Sequence, residues 1–214
     1  MRAVITAFGS YVPDRVVTND DLARTVDTSD EWIRSHTGIA ERRLAADDQA
    51  ASDLGIIAAR RALAAADIAP EQIDMVIVAS STTDYPNFPA VASIIQDRLG
   101  LTAAGAFDLS AGCTGFVYGL EVARSLVDAA SADAVLLIGA ETLSKMTNWD
   151  DRNTCVLFGD GAGAAIVESI DRSNAKRYAA PDPSAEGTQP PREGEGGAGR
   201  ARAAHAGRRA GAAE

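Results

Sequence analysis

Residues 106–123 read AFDLSAGCTGFVYGLEVA. A short apolar strand, Ala106–Leu109, runs into a tight Ser-Ala-Gly turn, and a helix over Gly115–Ala130 follows. Strands feeding directly into helices are the building pattern of layered α/β proteins. The flanking sequence repeats that alternation. Ala3–Phe8, Met75–Ala79 and Ala134–Ile138 are continuous apolar runs of strand length, the signature of strands covered on both faces. Between them lie helical stretches. Asn19–Val26 and Ser29–Ser35 each open on a capping residue followed by acids. Ala50–Asp67 is Ala-rich, with Leu54, Ile57, Ala58, Arg61 and Ala65 at helical spacing and Pro70 just past its end. Ala90–Leu99 stops at Gly100, while Cys155–Phe158 and Gly163–Glu168 read as a strand pair around a glycine turn. No internal repeat is visible within residues 1–173.

The pattern ends at about Ser173. From Asn174 to Glu214 there is no Ile, Leu, Val, Phe, Met, Trp or Cys, and Tyr178 is the only bulky apolar residue. Such a segment buries too little apolar surface to offset the entropy of ordering it. Two regions are expected: a folded body over 1–173 and a low-complexity, disordered tail over 174–214. The net charge of −10 divides between them. The body carries 13 Lys+Arg against 25 Asp+Glu and the tail 7 against 5. An acidic body argues against a nucleic-acid partner, and the tail lacks interleaved aromatics for base stacking. No run reaches the roughly 20 apolar residues of a membrane helix, and the amino terminus does not resemble a secretory signal. A cytoplasmic protein with no membrane partner is expected.

Chemistry centres on Cys113, at the start of the helix. A helix amino terminus offers backbone N–H groups and a positive dipole end, which favour a thiolate and can hold an oxyanion. Gly112 and Gly115 leave little bulk beside the sulfur. The residues alone leave open an inert cysteine at a strand–helix junction. Cys155 falls in the apolar run TCVLF and reads as core. The two cysteines, with no CxxC and no clustered histidines, give no reason for a structural zinc or other metal site. The loop FGDGAGA, 158–164, lacks the Lys-Ser/Thr of a P-loop and reads as a turn inside the sheet. Trp149 carries no assigned role.

Four ordered stretches together resemble the β-ketoacyl-ACP synthase III family of thiolase-fold condensing enzymes. They are the Cys113 segment, Thr28–Ile33 with Thr37-Gly38-Ile39 and Glu41-Arg42-Arg43, Asp74–Ser81 followed by Phe88-Pro89, and Phe158–Ala164. The match covers about residues 1–170, so the resemblance implies a thiolase-like layered fold, first half only. It implies an acyltransferase of fatty-acid or polyketide initiation, with acyl-CoA and malonyl-acyl carrier protein as substrates, no permanently bound cofactor, and a homodimer. Carried over by position, Cys113 is the acyl acceptor. Trp32 stacks on the coenzyme's adenine, Arg152 lies across that ring or near the phosphates, and Thr28 hydrogen-bonds nearby. His36 stands where a family arginine often contacts the coenzyme, and Phe88 reaches the partner subunit's acyl pocket. From the residues alone, Trp32 could be helix-packing core and Arg152 a solvated surface charge. The family's second-half His and Asn motifs do not occur; the only histidines are His36 and, in the tail, His205. The alternative is therefore a truncated, inactive or partly active fragment that binds coenzyme A or pairs with an intact subunit.

Overall fold

The computed structural model describes residues 2–178. The stretch 179–214 lies outside the described residues, and with it His205 and most of the expected disordered tail. In chain order the elements are strands β1 (Ala3–Tyr11) and β2 (Arg15–Thr18), helices α1 (Asn19–Leu22) and α2 (Asp30–Thr37), strand β3 (Glu41–Leu44), helix α3 (Ala51–Ala66), strand β4 (Met75–Ala79), helix α4 (Val91–Leu99), strand β5 (Gly105–Leu109), helix α5 (Gly115–Asp128), strands β6 (Ala134–Thr142) and β7 (Asp160–Ser169), and helix α6 (Ile170–Tyr178).

Five strands form one mixed sheet in the order β1-β7-β6-β4-β5. The β-branched run MVIVA makes β4 an interior strand, parallel to its neighbours β5 and β6. β7 pairs antiparallel with β6 and β1. Because strand side chains alternate, β4 serves both faces. Val76 and Val78 join Leu136, Ile138 and Ile166 in a buried cluster with Ala58, Ala62 and Ile95, so α3 and α4 cover that side. Ile77 joins Val135, Leu137 and Val167 against Ala123 and Val127 of α5 on the other side. A third, smaller core packs Leu22, Ile33, Cys155 and Val156 with Trp32 and Trp149 partly covered beside them.

Local chemistry explains the boundaries. Ser29 caps α2, its Oγ accepting from the Trp32 N–H at 3.1 Å, and Gly38 ends the helix at φ 74°. In α3 the Asp53 carboxylate reaches back to the Ala50 N–H at 2.8 Å.

Several expectations are corrected. Cys155–Phe158 is not a strand. Residues 152–157 form a turn tied by Asp151, whose Oδ1 accepts from the Asn153 N–H at 3.0 Å and whose Oδ2 accepts from the Thr154 hydroxyl at 3.0 Å. The glycines of 161–163 are not a turn either; they lie in β7, which is longer than expected. α1 is a single turn, and the antiparallel pair β2–β3 was not anticipated. α3 buries Ala51, Leu54, Ala58, Ala59 and Ala62, while Arg61 faces out, its guanidinium donating to the Ser10 carbonyl at 2.6 Å. An Ala-rich helix has weak faces, and close packing on β1 selects the one used. Finally, α6 carries the compact unit to Tyr178, past the Ser173 boundary.

Candidate active site

The parallel strands β4 and β5 end together, Ala79 opposite Leu109, while β6, with Gly139 opposite Ala79, runs on to Thr142. The chain leaving β5 enters a single 3-10 turn, Gly112–Thr114, and then α5. Gly112 takes φ 55°, a left-handed conformation that favours glycine. This turn sets Cys113 at the amino end of α5. The first residue of that helix presses on the end of β4, since a Cβ on Gly115 would lie 3.2 Å from that of Ala79.

Cys113 is exposed and lines an open cavity of about 510 Å3 at the strand ends. Phe116 and Phe158 give the cavity apolar walls, and Glu141 stands at its edge. The Glu141 carboxylate is occupied, accepting from the Ser81 N–H at 2.8 Å and the Thr82 hydroxyl at 2.5 Å. An accessible thiol facing an apolar opening, with a helix amino terminus behind it, can attack a carbonyl and hold the resulting oxyanion. Cys155, by contrast, is fully buried, and burial pushes its thiol up. In the native protein, Ellman's reagent is therefore expected to titrate one thiol rapidly and a second only after denaturation. Rapid reaction of both would contradict the buried placement of Cys155.

A second cluster forms on α2. The Trp32 and His36 rings stack at 4.4 Å and 24°, and the Arg152 guanidinium lies 4.6 Å from the Trp32 ring centroid. His36 Nδ1 sits 2.8 Å from the Trp32 carbonyl, to which it donates. Arg152 also reaches Asp27 at 3.7 Å. Thr28 Oγ1 is buried with no hydrogen-bond partner among the described residues. The structure thus brings together Trp32, Arg152 and His36, each expected at the coenzyme by resemblance, and places the arginine directly on the indole. Cys113 and Phe88 are not part of this cluster. Phe88 projects outward, 83% exposed. The turn 152–157 connects the two regions: Arg152 covers Trp32 at one end, and Phe158, next after the turn, walls the Cys113 cavity.

Four side chains behind these groups were given no role in the sequence reading. Asp160, 6% exposed, accepts from the Ala45 N–H at 2.7 Å, the Ser144 N–H at 2.8 Å and the Ser144 hydroxyl at 2.5 Å. It pins the start of β7 to the end of β3 and to the loop after β6. Trp149, to which no role was given, donates from Nε1 to the Ser144 carbonyl at 3.1 Å in that same loop. Arg42 and Asn19 are buried at 5% and 1%. A charged residue inside a four-residue strand gives no periodic signal. Among the described residues no group of three or more His, Cys, Asp or Glu could hold a metal ion, and no helix is long and apolar enough to cross a membrane.

A doubly covered mixed sheet with a cysteine at the strand-to-helix junction above its parallel strands is the first half of a thiolase-like condensing fold. Comparison with known proteins narrows this. The family described as 3-Oxoacyl-[acyl-carrier-protein (ACP)] synthase III matches residues 107–180. The protein named beta-ketoacyl-[acyl-carrier-protein] synthase III of Caldanaerobacter subterraneus is 56% identical over 169 residues, 79% of this chain and 51% of that protein. The crystal structure of 3-oxoacyl-[acyl-carrier-protein] synthase III from Aquifex aeolicus superposes with a TM-score of 0.75 at 46% identity, covering 78% of this chain and 53% of the other. The priming β-ketosynthase of the R1128 polyketide pathway does so at 0.77 and 38%, covering 79% and 51%. The chain belongs, as an amino-terminal half, to the β-ketoacyl-ACP synthase III family. It spans about half the length of the curated relatives it matches.

Proposed function

We propose that Cys113 takes a short acyl group from an acyl-CoA, and that this group is then condensed with malonyl-ACP, with loss of carbon dioxide, to start a fatty-acid or polyketide chain in the cytoplasm. The exposed thiol at the amino end of α5 carries this reading. In the first step the Cys113 sulfur attacks the thioester carbonyl. A carbon–sulfur bond forms, and the oxyanion faces the helix amino terminus. Collapse breaks the bond to coenzyme A, whose thiolate leaves and takes up the proton given up by Cys113. Trp32 and Arg152 would hold the adenine end of the coenzyme, with Thr28 and His36 beside them. Phe88 would reach a second subunit's acyl pocket in a homodimer.

Acetyl-CoA incubation followed by intact mass spectrometry tests the first step. One acetyl group is expected on the wild-type chain and none on Cys113→Ala. No mass increase on the folded wild-type chain would overturn the reading.

A second reading is favoured by what faces the thiol. Decarboxylation needs donors for the charge that develops on the malonyl thioester oxygen. None of the described residues lining the Cys113 cavity is a histidine or asparagine, and His36 is engaged with Trp32. On this reading the chain accepts or binds the acyl donor and pairs with an intact subunit for condensation. Malonyl-ACP added to the acetylated chain separates the two, since only the first reading gives acetoacetyl-ACP.

A further inference from the structure

The two sides of the Trp32–Arg152 pair come from segments about 120 residues apart in sequence, α2 and the turn 152–157. Apolar contact among Ile33, Cys155 and Val156 brings them together. Such contact is non-directional and does not by itself fix how the indole and guanidinium face each other.

Two buried polar side chains supply direction. Arg42 of β3 donates to the Val17 carbonyl at 3.1 Å, to Asn19 Oδ1 at 2.7 Å and to the Val156 carbonyl, inside the turn, at 3.3 Å. Asn19 passes the connection on. Its Nδ2 donates to Asp30 Oδ1, at the first residue of α2, and to the Ile39 carbonyl, just beyond that helix, both at 2.8 Å. Two side chains thus bind β2, both ends of α2 and the turn that carries Arg152. A Cβ on Gly159 would lie 3.1 Å from that of Arg42, so the chain leaving the turn also runs close over β3.

Arg42 is poorly explained as a stabiliser. Among the described residues no carboxylate lies within ion-pair range of it, its Nε has no partner, and burial lowers its pKa. Burying a guanidinium without a counter-charge is costly. What it offers is a rigid planar fork reaching acceptors on separate segments, which the single ammonium of lysine does not match.

We infer that Arg42 and Asn19 are positioning residues that hold Trp32 and Arg152 in register to receive the adenine of a coenzyme A donor. This rests on the proposed coenzyme role of that pair. Calorimetric titration of the full chain with coenzyme A tests it, using wild type, Arg152→Ala, Arg42→Lys and the double variant. Arg42→Lys keeps the charge and is expected to weaken binding about 10-fold. In the Arg152→Ala background the same change is expected to cost less than about 2-fold, because the element it positions is gone. Asn19→Asp keeps the acceptor for Arg42 but removes both Nδ2 donations, and it should follow the same pattern. Equal losses in both backgrounds, no loss, or failure of both variants to fold would make the pair scaffold and overturn the inference. Wild type that does not bind coenzyme A, or binds it unchanged in Arg152→Ala, would overturn the coenzyme reading itself and the inference with it.

Discussion

Gly9→Ala is expected to destabilise the protein by about 3–5 kcal/mol, a large part of the stability of an ordinary domain. Gly9 lies in β1 where α3 crosses it. A Cβ there would overlap the Ala58 carbonyl oxygen and the Ala62 nitrogen and would lie 3.0 Å from the Arg61 carbonyl carbon. These are backbone atoms of a helix, so no rotamer change relieves the overlap and α3 must lift. Lifting it opens the layer where Ala58, Ala59 and Ala62 are fully buried. Gly163→Ala is the control. It is another glycine in a strand of the same sheet, and an added Cβ meets nothing within 4 Å. That variant is expected to stay within about 1 kcal/mol of wild type. Urea unfolding of the pair decides the matter: equal midpoints would contradict the helix-on-strand contact.

Asp160→Ala is expected to cost about 3–5 kcal/mol, since each buried donor left unsatisfied costs roughly 1–3 kcal/mol and three donors lose one acceptor group. The Ala45 N–H, the Ser144 N–H and the Ser144 hydroxyl all end on this carboxylate. The effect should also be visible locally. Trp149 is bonded to the Ser144 carbonyl, so release of that loop is expected to expose the indole and move its emission to the red. A variant with wild-type unfolding and unchanged emission would show that Asp160 does not hold the loop.

How far the sequence exposed the fold depends on the kind of signal each element carries. Met75–Ala79 was readable to the residue because β-branched apolar residues covered on both faces leave little else for the segment to be. Cys113 was readable as a junction residue because the strand period ends and the helix period begins around it. The run TCVLF misled because apolarity was taken for a strand. Only Cys155 and Val156 of it are buried, against Leu22, Ile33 and Val17, while Leu157 and Phe158 stay exposed; the informative signal was polar: Asp151, two residues before Asn153, marks an Asx-type turn. β2 and β3 were hidden because RVVT and ERRL are four residues each and at least half charged or polar. Arg42 and Asn19 belong to residue types expected outside, so no burial pattern exposes them. Their bonds join segments distant in sequence, and spacing along the chain carries no trace of that. The Trp32–Arg152 grouping was reachable only through the family resemblance, for the same reason.

The pairing of β1 with β7 joins Ala3 to Ser169, so the first strand made is among the last to find its neighbour. On a ribosome adding 5–20 residues each second, Ala3 waits roughly ten to thirty seconds before Ser169 is synthesised. During that interval β1 and α3 already exist, but β7, which borders β1 in the sheet and which α3 also covers, does not. Vectorial synthesis therefore cannot build this sheet from its amino terminus inward. The parallel side of the sheet, β4 with β5 and then β6, is available first, and β7 must arrive before it can bring β1 home.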